Sequence, residues 1–600
     1  AILDDSLNTL SNVLLIVDLN RQSLDRVVPG IKAARLKSLF SSCDWQVLEA
    51  KFGKRLEDIF ARPNGRLLQD RIDEMSNAEY QGLLRKSGAE IRPLLTRGNP
   101  KFEALIADIS DDELPSVLGD LGGHDFDVLL ARLAESDQDK TRPTVLFAYT
   151  VKGWGLPMAG HPLNHSMLLE PKQIEQLCRE MGMEKDEWAD FPSESEAGVH
   201  CRARASLLFP ERTLETAVAS RPQTADPTIP QGKTSTQQSF GRILLALSRD
   251  EALAKHLVTI SPDVSVSTNL SGWINKMGVF SLAGHEAGSA VTWHESDKGQ
   301  HIELGISEMN LFMALSMFGI TKELLGHTTV PIGTVYDPFV CRGLDAFIYG
   351  LYSGSKFIVA GTPSGVTLSP EGGAHQSTVT SSLGMELPNL NYYEPCFATE
   401  LAWLMVDAIS ECFDRADGRA SYFRLSTKVI DQRPFTAAQE RLGEARLKKQ
   451  VLAGGYRLQD WRSQEGVEKS YLVQLVTTGA MIPEVLQAAS LLEEEGIPAN
   501  VINLTSPRRL FEAWQNGQND SPFDWLFPQN EHHAPLIIVN DGASHAHAWL
   551  GSVFGAPVET LGVDKFGQSG SRDLLYQSMG IDADSIVNAA LRALNKQGLV

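Results

Sequence analysis

The sequence predicts an α/β protein made of three consecutive α/β domains with mainly parallel sheets. Short runs of apolar and β-branched residues alternate along the 600-residue chain with stretches of helical periodicity. Strands separated by helices are typical of parallel sheets. A segment rich in Pro, Thr, Ser and Gln interrupts the alternation over residues 216–237, and it is predicted to be a linker.

The first domain, residues 1–215, begins with a predicted buried strand at Val13–Val17. Further strands are predicted at Trp45–Ala50 and Thr144–Tyr149, where β-branched and aromatic residues are frequent. The residues after the third strand, 152–166, contain several glycines and are predicted to form a mobile loop. Helical patterns occur at Ile31–Phe40, Leu56–Phe60, Asn77–Lys86, Lys101–Ile109 and Phe126–Glu135.

Two further alternating series follow the linker. The second domain, residues 238–440, contains the strand-like segments HLVTI, VPIGTVY and KFIVAG and a helical run through Glu308–Phe318. The third domain, residues 441–600, contains YLVQLVTT, a helix at Ile482–Glu495, and the strand-like ANVINL, PLIIV and APVETL. Each series has enough strands and helices to form a core of its own and therefore predicts a separate domain.

Composition excludes several classes of function. The formal net charge of −21 argues against a nucleic-acid-binding protein, because such proteins carry a basic surface. No run of about 18 apolar residues occurs, so no membrane span is predicted. The six cysteines have no CxxC or other metal-binding spacing, which predicts reduced thiols and a cytoplasmic location.

Polar residues follow the first predicted strand directly. Asn20 and Gln22 come just after Val13–Val17, and ligands of α/β sheets bind at the carboxyl ends of the strands. Their side chains offer neutral oxygens that suit a hard cation such as Mg²⁺. A magnesium site normally also needs a carboxylate and phosphate oxygens, which this stretch lacks. The local pattern alone therefore favours a polar turn.

The glycine-rich segment GTPSGVTLSPEGGAHQST, residues 361–378, follows a predicted strand and carries Glu371 four residues before His375. An acid and an imidazole on a loop at a strand end can transfer protons. Pairs of Glu and His at this spacing are also common on protein surfaces. Catalysis and ordinary surface hydrogen bonding are equally well supported by the spacing.

A second candidate, Glu308, lies near a predicted helix start beside Ile306 and Met309. A carboxylate in apolar surroundings can donate a proton to a ring nitrogen, although a favourable interaction with the helix dipole is the commoner role. Tyr336 and Phe339 follow a predicted strand three residues apart. Such aromatic pairs are more often core residues than a platform on which a cofactor stacks.

Two loops complete the set of candidates. His161 and His165, in the predicted mobile loop, are possible acids or bases because imidazole titrates near neutral pH, and they are equally possible solvated bystanders. The segment DKFGQSGSRDLL, residues 564–575, is a Gly/Ser-rich turn that leads into a helix. Its donors suit an anion, but helix capping by Ser569 or Ser571 is the simpler interpretation.

Taken in order, these stretches resemble one family closely: the homodimeric type of the pyruvate dehydrogenase first component, among the transketolase-like thiamine-diphosphate enzymes. The resemblance covers nearly the whole chain and implies the transketolase-like, thiamine-diphosphate-binding fold with a C-terminal domain. The motifs that carry it are VDLNRQSLD, GGHD, TVLFAYTVKGWG, ELGISEMN, YDPF, GTPSGVTLSPEGGAHQS and DKFGQSGSRDLL.

The resemblance implies two cofactors, thiamine diphosphate and Mg²⁺. Asn20 and Gln22 match the end of the family's diphosphate motif, so both would ligate the metal and Asn20 would also border the cofactor. Asp18 stands where the family usually has Asn. The Gly-Asp-Gly half of the same motif is expected upstream of Ala1.

The resemblance also assigns roles at the reacting end of the cofactor. Glu308 matches the glutamate that hydrogen-bonds to the aminopyrimidine ring, and Ile306, Tyr336 and Phe339 match the pyrimidine pocket. Glu371 and His375 match active-site residues near the reacting centre.

In the mobile loop, Lys152 matches the lysine at the base of the loop, and His165 matches the histidine implicated in reductive acylation of lipoyl groups. The loop is about two residues shorter than in the family, so His161 is a competitor for that role.

The implied reaction is oxidative decarboxylation of a small 2-oxo acid, with reductive acylation of a lipoyl-bearing dihydrolipoyl acyltransferase. The enzyme is expected to be a homodimer whose subunits share the cofactor site. At Asp263-Val264 the family usually has Asp-Glu, so a charge near the expected substrate pocket is replaced by an apolar residue. Pyruvate and the larger 2-oxobutanoate are both candidate substrates.

Two alternatives share part of this evidence. A transketolase-type two-carbon transfer on sugar phosphates uses the same cofactor without a lipoyl partner. A cofactor-free remnant is expected if the protein begins at Ala1 and so lacks the Gly-Asp-Gly half of the motif.

Overall fold

A computed structural model describes residues 10–23, 26–28, 32–184, 190–209, 232–282, 293–461, 471–517 and 521–599. The chain divides into two compact units, Ala1–Pro210 and Glu211–Val600. Over the described ranges, no helix combines the length and apolar character needed to cross a membrane. All six cysteines are free thiols.

The described residues of the first unit form a small parallel sheet and ten helices. The strands are β1 Leu14–Leu19, β2 Gln46–Ala50 and β3 Thr144–Tyr149. The helices are α1 Ala33–Ser42, α2 Lys54–Phe60, α3 Arg66–Glu74, α4 Asn77–Leu83, α5 Gly88–Thr96, α6 Pro100–Leu105, α7 Leu114–Leu118, α8 Phe126–Ser136, α9 Pro171–Met181 and α10 Glu196–Leu208. The strand order is β1-β3-β2, and both pairs are parallel, as the alternation of strands and helices predicts.

The prediction of a buried first strand is wrong in one respect. β1 is a strand, but the side chains of Leu14, Leu15 and Ile16 are exposed, and only Leu19 at its carboxyl end is buried. In the described part of the chain β1 lies at the edge of the sheet, with β3 as its one neighbour. β3 is central and accordingly buried along most of its length.

The second unit contains the remaining elements. Its strands are β4 Lys233–Thr234, β5 Leu257–Ser261, β6 Val279–Phe280, β7 Glu295–Ser296, β8 His301–Glu303, β9 Val330–Val335, β10 Ile358–Gly361, β11 Leu390–Tyr393, β12 Ala420–Arg424, β13 Ile430–Asp431, β14 Gly455–Gln459, β15 Val473–Thr478, β16 Ala499–Leu504, β17 Leu536–Val539 and β18 Val558–Leu561. Its helices are α11 Thr236–Leu247, α12 Glu251–Ala254, α13 Ser271–Met277, α14 Glu308–Gly319, α15 Thr321–Leu325, α16 Leu344–Tyr352, α17 Thr380–Glu386, α18 Ala398–Phe413, α19 Arg433–Leu442, α20 Glu444–Ala453, α21 Ile482–Glu494, α22 Pro507–Asn516, α23 Pro522–Leu526, α24 Arg572–Met579 and α25 Ala583–Lys596.

Two large sheets organise this unit. One has eight strands in the order β11-β12-β10-β9-β5-β8-β6-β7, all parallel. The other has the order β14-β16-β15-β17-β18 and is parallel except for β14. The predicted fold class, α/β with mainly parallel sheets and a C-terminal domain, is confirmed.

The two sheets share one apolar core. A single cluster of buried side chains includes Phe240 of α11, Trp403 of α18, Val485 of α21 and Ala589 of α25. Helices that flank the two sheets are therefore packed into the same core.

The predicted linker, residues 216–237, lies mostly outside the described residues, but its end is wrong. Lys233–Thr234 pairs antiparallel with Ile430–Asp431 as β4 and β13, and α11 begins at Thr236. The Ser235 side chain caps this helix by accepting the Gln238 N–H. The polar run that suggested a linker therefore includes a helix N-terminus, where Ser and Thr are favoured.

Candidate active site

In the first unit, the carboxyl ends of β1 and β3 lie side by side, with Leu19 in register with Tyr149. Asp18 Oδ1 accepts a hydrogen bond from the Thr150 hydroxyl, and Oδ2 accepts one from Asn20 Nδ2 at 3.0 Å. Asp18, which stands where the family's motif usually has Asn, thus connects the two strand ends.

Asn20 and Gln22 present two amide oxygens at this strand end. Asn20 Oδ1 accepts the Gln22 N–H at 3.0 Å, and the Asn20 carbonyl accepts Gln81 Nε2 at 3.1 Å. Gln22 Nε2 donates to the His161 carbonyl at 2.8 Å, whereas Gln22 Oε1 is buried and has no hydrogen-bond partner among the described residues. Buried polar atoms are normally paired. An unpaired buried amide oxygen fits a hard cation, so these residues fit the Mg²⁺ that the family resemblance implies.

The GGHD segment packs against the same strand ends. The Gly123 N–H donates to the Tyr149 carbonyl at 2.9 Å, and a Cβ on Gly123 would lie 2.4 Å from that oxygen, so only glycine fits. His124 Nε2 accepts the Val151 N–H at 2.7 Å, and its ring stacks on Trp154 with centroids 4.6 Å apart. Partial burial lowers the pKa of His124, which favours the neutral ring that accepts this hydrogen bond.

The two histidines of the loop 152–166 make different contacts. Lys152 Nζ lies 3.0 Å from His165 Nδ1. An ammonium can only donate, so Nδ1 accepts and the neutral ring of the exposed His165 carries its proton on Nε2. His161 Nδ1 instead accepts the Leu163 N–H at 3.1 Å. The loop therefore pairs Lys152 with His165 and uses His161 for local structure.

In the second unit, Glu308 is the first residue of α14 and is buried, with 8% of its surface exposed. The Ser307 side chain caps the helix by accepting the Asn310 N–H. Arg342 Nη1 donates to Glu308 Oε1 at 3.0 Å. Ile306, two residues before Glu308, is by contrast largely exposed.

Two aromatic rings and one imidazole gather next to this carboxylate. The ring centroids of Tyr336 and Phe339 are 6.0 Å apart, and the His375 ring lies 6.0 Å from the first and 5.2 Å from the second. The Arg342 guanidinium lies over Phe339, 3.6 Å from the ring centroid. The structure therefore brings Glu308, Tyr336, Phe339 and His375 into one cluster through Arg342.

Buried Asp337 joins the YDPF segment to the glycine-rich loop. Its carboxylate accepts hydrogen bonds from the Ser377 hydroxyl and from Arg424 Nε, the latter at 3.1 Å. A buried charge needs such partners to offset its lost hydration. Because Asp337 and Ser377 lie two residues from Phe339 and His375, this contact helps to fix the spacing of the two rings.

The glycine-rich loop is also held from the C-terminal sheet. Asp541, which follows β17, accepts the Val366 N–H on Oδ1 at 2.9 Å and the Thr367 N–H on Oδ2 at 3.2 Å. Gly365 has φ 67°, and a Cβ there would lie 2.0 Å from the Asp541 carboxylate. A glycine at this position is therefore required by both the backbone conformation and the close approach.

Glu371 is exposed at the end of the 3-10 segment Val366–Glu371. The DKFGQSG turn packs beside it, because a Cβ on Gly372 would lie 2.9 Å from Ser569 Oγ. Ser571 occupies the N-cap position of α24, but its side chain makes no capping hydrogen bond. Of the two serines predicted to cap the helix, Ser571 has the N-cap position without the capping bond and Ser569 packs against the loop of Glu371.

Val264 lies half-buried in a tight turn at the carboxyl end of β5. Its N–H donates to Ser261 Oγ at 3.1 Å, and the neighbouring Asp263, with φ 64°, donates its N–H to Glu303 Oε1 at 2.6 Å. β5 pairs in parallel with β9, the strand that leads into Tyr336. Val264, which stands where the family usually has Glu, thus lies at the same edge of the sheet as the aromatic cluster.

Sequence reasoning did not identify Arg342, Asp337 or Asp541. The first two lie within the YDPFVCRG stretch that supplied Tyr336 and Phe339, and charged residues beside an aromatic pair were the available signal. Asp541 follows a predicted strand, PLIIV, in the manner of Asn20, and that position was again the signal.

Two family models match parts of the second unit. Residues 223–431 match the pyruvate dehydrogenase E1 component middle domain, which contains the Glu308 cluster. Residues 454–582 match the transketolase-like TK C-terminal domain, which contains Asp541.

Several pyruvate dehydrogenase E1 components are similar to nearly the whole chain. The pyruvate dehydrogenase E1 components of Pseudomonas aeruginosa and Cupriavidus necator are each 25% identical to this chain, and the match covers 98% of this chain and 69% of each relative. The Escherichia coli K12 protein of the same name is 24% identical over the same shares.

Solved transketolases share the fold. The enzyme from Campylobacter jejuni has a TM-score of 0.63 at 18% identity, covering 97% of this chain and 73% of its own. The enzyme from Leishmania mexicana has a TM-score of 0.65 at 16% identity, covering 99% and 73%. At such identities the likeness concerns the fold.

Proposed function

Since the chain is a homologue of the pyruvate dehydrogenase E1 component and carries the middle domain of that family, we propose that it decarboxylates a small 2-oxo acid with thiamine diphosphate. The acyl group then passes to a lipoyl group on a dihydrolipoyl acyltransferase. The single observation that carries the proposal is the cluster around Glu308, in which a buried carboxylate at a helix start is joined through Arg342 to Phe339, with Tyr336 and His375 next to that ring.

Glu308, Phe339 and Tyr336 would hold the aminopyrimidine end of the cofactor. Thiamine diphosphate, when bound, supplies the electron sink for the charge that decarboxylation leaves behind. The Glu308 carboxyl would share a proton with a ring nitrogen, and its burial would exclude water from that proton. The aromatic rings would offer flat faces for stacking. Ile306 would border the same pocket.

His375 and Glu371 would act on the substrate side. The His375 ring lies 5.2 Å from that of Phe339, so its imidazole would lie next to the proposed pyrimidine site. It would move a proton to or from the substrate oxygen. Glu371, exposed on the same loop, would be the second acid or base.

Asn20 and Gln22 would ligate Mg²⁺ in the first unit. The buried, unpaired Gln22 Oε1 supports this assignment, and amide oxygens suit the octahedral shell of that ion. The ion would in turn hold the diphosphate of the cofactor.

The acyl-transfer role falls to Lys152 and His165. The 3.0 Å contact between Lys152 Nζ and His165 Nδ1 leaves Nε2 of an exposed imidazole available to a lipoyl group. His161 is the weaker candidate, because its Nδ1 is already occupied by the Leu163 N–H.

A second copy of the chain would complete the enzyme as a homodimer. α14 and α16 present an exposed apolar face that begins one residue after Glu308, and apolar patches of this kind mark interaction surfaces. Its residues are Met309, Met313, Met317, Ile348, Tyr349 and Tyr352. Continuity with the Glu308 cluster favours a second copy as the occupant.

The test is release of carbon dioxide with ferricyanide as electron acceptor, in the presence of thiamine diphosphate and Mg²⁺. We expect turnover of pyruvate or 2-oxobutanoate. Both substrates are tested because the half-buried Val264 replaces a charged residue near the expected substrate pocket. The Glu308→Gln variant is expected to lose at least about 100-fold in rate. Glu323→Gln, which removes an exposed carboxylate paired with Arg415, is the matched control.

Two results would overturn the proposal. One is no release of carbon dioxide from any 2-oxo acid under these conditions. The other is two-carbon transfer between sugar phosphates without carbon dioxide release, which would indicate transketolase chemistry.

A further inference from the structure

Arg342 engages two groups of the proposed pyrimidine site at once. Its Nη1 donates to Glu308 Oε1 at 3.0 Å, and its guanidinium carbon lies 3.6 Å from the centroid of the Phe339 ring. One flat cation therefore occupies both the hydrogen-bonding and a stacking position of this cluster.

The guanidinium resembles an aminopyrimidine in the features that this site recognises. Both groups are planar, both place an N–H next to a carboxylate, and both stack on an aromatic face. The Arg342 side chain is also 53% exposed, so its charge stays hydrated when the side chain leaves the cluster.

The exposed side of Arg342 weakens the contacts that hold it. Water and salt screen the arginine end of the ion pair, and a cation–π contact at an exposed site is weaker than one shielded from water. A side chain held by such contacts exchanges readily with a competing ligand.

We propose that Arg342 is a built-in competitor of the cofactor: its guanidinium occupies the aminopyrimidine position in the free protein and must leave before the pyrimidine binds. This inference rests on the proposed function. The apparent affinity for the pyrimidine is then the intrinsic affinity reduced by the fraction of molecules in which Arg342 has swung out.

Arg342 also supplies the buried Glu308 carboxylate with a hydrogen-bond donor. A buried carboxylate with no partner is costly, and Arg342 supplies that partner until the ring replaces it. Arg342 is therefore a positioning residue in the free protein.

The experiment measures binding of the neutral fragment 4-amino-2-methylpyrimidine to the full chain by calorimetry, without metal or phosphate. The Arg342→Ala variant is expected to bind the fragment about three- to tenfold more tightly than the wild type. The matched control is Arg433→Ala, which removes an exposed arginine paired with Asp431 in the same unit and should leave the affinity unchanged.

Salt provides a second readout that a purely structural role would not move. Raising the NaCl concentration weakens the Arg342–Glu308 pair, so wild-type affinity for the neutral fragment should rise with salt while that of Arg342→Ala stays constant. An Arg342→Ala protein that binds no more tightly than the wild type, or more weakly, overturns the inference.

The two proposals can fail separately. If the wild type releases carbon dioxide from a 2-oxo acid but Arg342→Ala gains no affinity for the fragment, only the competitor role is overturned. If no variant binds the fragment and the wild type releases no carbon dioxide, both proposals are overturned.

Discussion

Replacing Asp541 by alanine should loosen the glycine-rich loop from a distance. The Asp541 carboxylate is buried and accepts the backbone N–H groups of Val366 and Thr367 at 2.9 and 3.2 Å. Alanine removes both acceptors and leaves two buried donors unpaired. The segment from Gly361 to Thr378, which carries Glu371 and His375, would lose its attachment to the C-terminal sheet.

The size of the effect follows from those two hydrogen bonds. An unsatisfied buried donor costs about 1–3 kcal/mol, so the loss of both acceptors should lower the local free energy of opening by about 2–6 kcal/mol. At about 1.4 kcal/mol per factor of ten, amide exchange at Val366 and Thr367 should accelerate by at least about 30-fold.

Hydrogen–deuterium exchange with mass spectrometry of peptides that cover residues 361–378 measures this directly. The matched control is Asp564→Ala, because the exposed Asp564 accepts a single backbone N–H, that of Ser544, at 3.0 Å. Exchange in the 361–378 peptides should be unchanged in the control. Equal exchange in Asp541→Ala and the wild type would refute the view that this carboxylate holds the loop.

Three further outcomes are expected. His165→Gln should cut lipoyl-dependent turnover by about 100-fold while carbon dioxide release with ferricyanide persists; the same loss in His161→Gln alone would contradict the Lys152–His165 pairing. Met313→Glu should shift sedimentation toward the monomer because it places a charge on the exposed apolar face, and an unchanged dimer would exclude that face as the interface. Burial raises the pKa of Glu400 to about 7 from 4.5, so the folded state retains a proton that the unfolded state releases. Stability should therefore fall by about 3 kcal/mol as the pH rises from about 4.5 to 7. In urea titrations, the unfolding free energy of Glu400→Gln should no longer fall over this pH range. A fall that persists in this variant would refute its assignment to Glu400.

Sequence patterns predicted the longer elements of both units and missed many of the shorter ones. Thr144–Tyr149 was predictable as a strand because it is a short run of β-branched and aromatic residues, and Ile482–Glu495 was predictable as a helix because its apolar residues repeat with the helical period. Burial was harder, as β1 shows. A continuous apolar run predicts a buried strand, but exposure depends on which neighbours a strand has in the sheet.

Residues of the candidate site were easiest to predict where reactive or aromatic side chains follow a predicted strand. Tyr336, Phe339 and His375 belong to segments that follow predicted strands, and the structure brings their rings together. Arg342 was marked only by its position beside the aromatic pair, and its spacing does not reveal that its side chain turns back onto Glu308. Asp541 acts on a loop about 175 residues earlier in the chain, and sequence distance gives no indication of such a contact.

If Gln22 ligates the proposed Mg²⁺, its side chain would link that metal site thermodynamically to the loop 152–166. Its amide nitrogen binds the His161 carbonyl while its oxygen is free for a cation, so a single rotamer serves both partners. A cation that fixes this rotamer removes part of the entropy cost of ordering the loop, and an ordered loop raises the affinity for the cation by the same factor. Loop closure and metal occupancy would therefore be measured as one cooperative event.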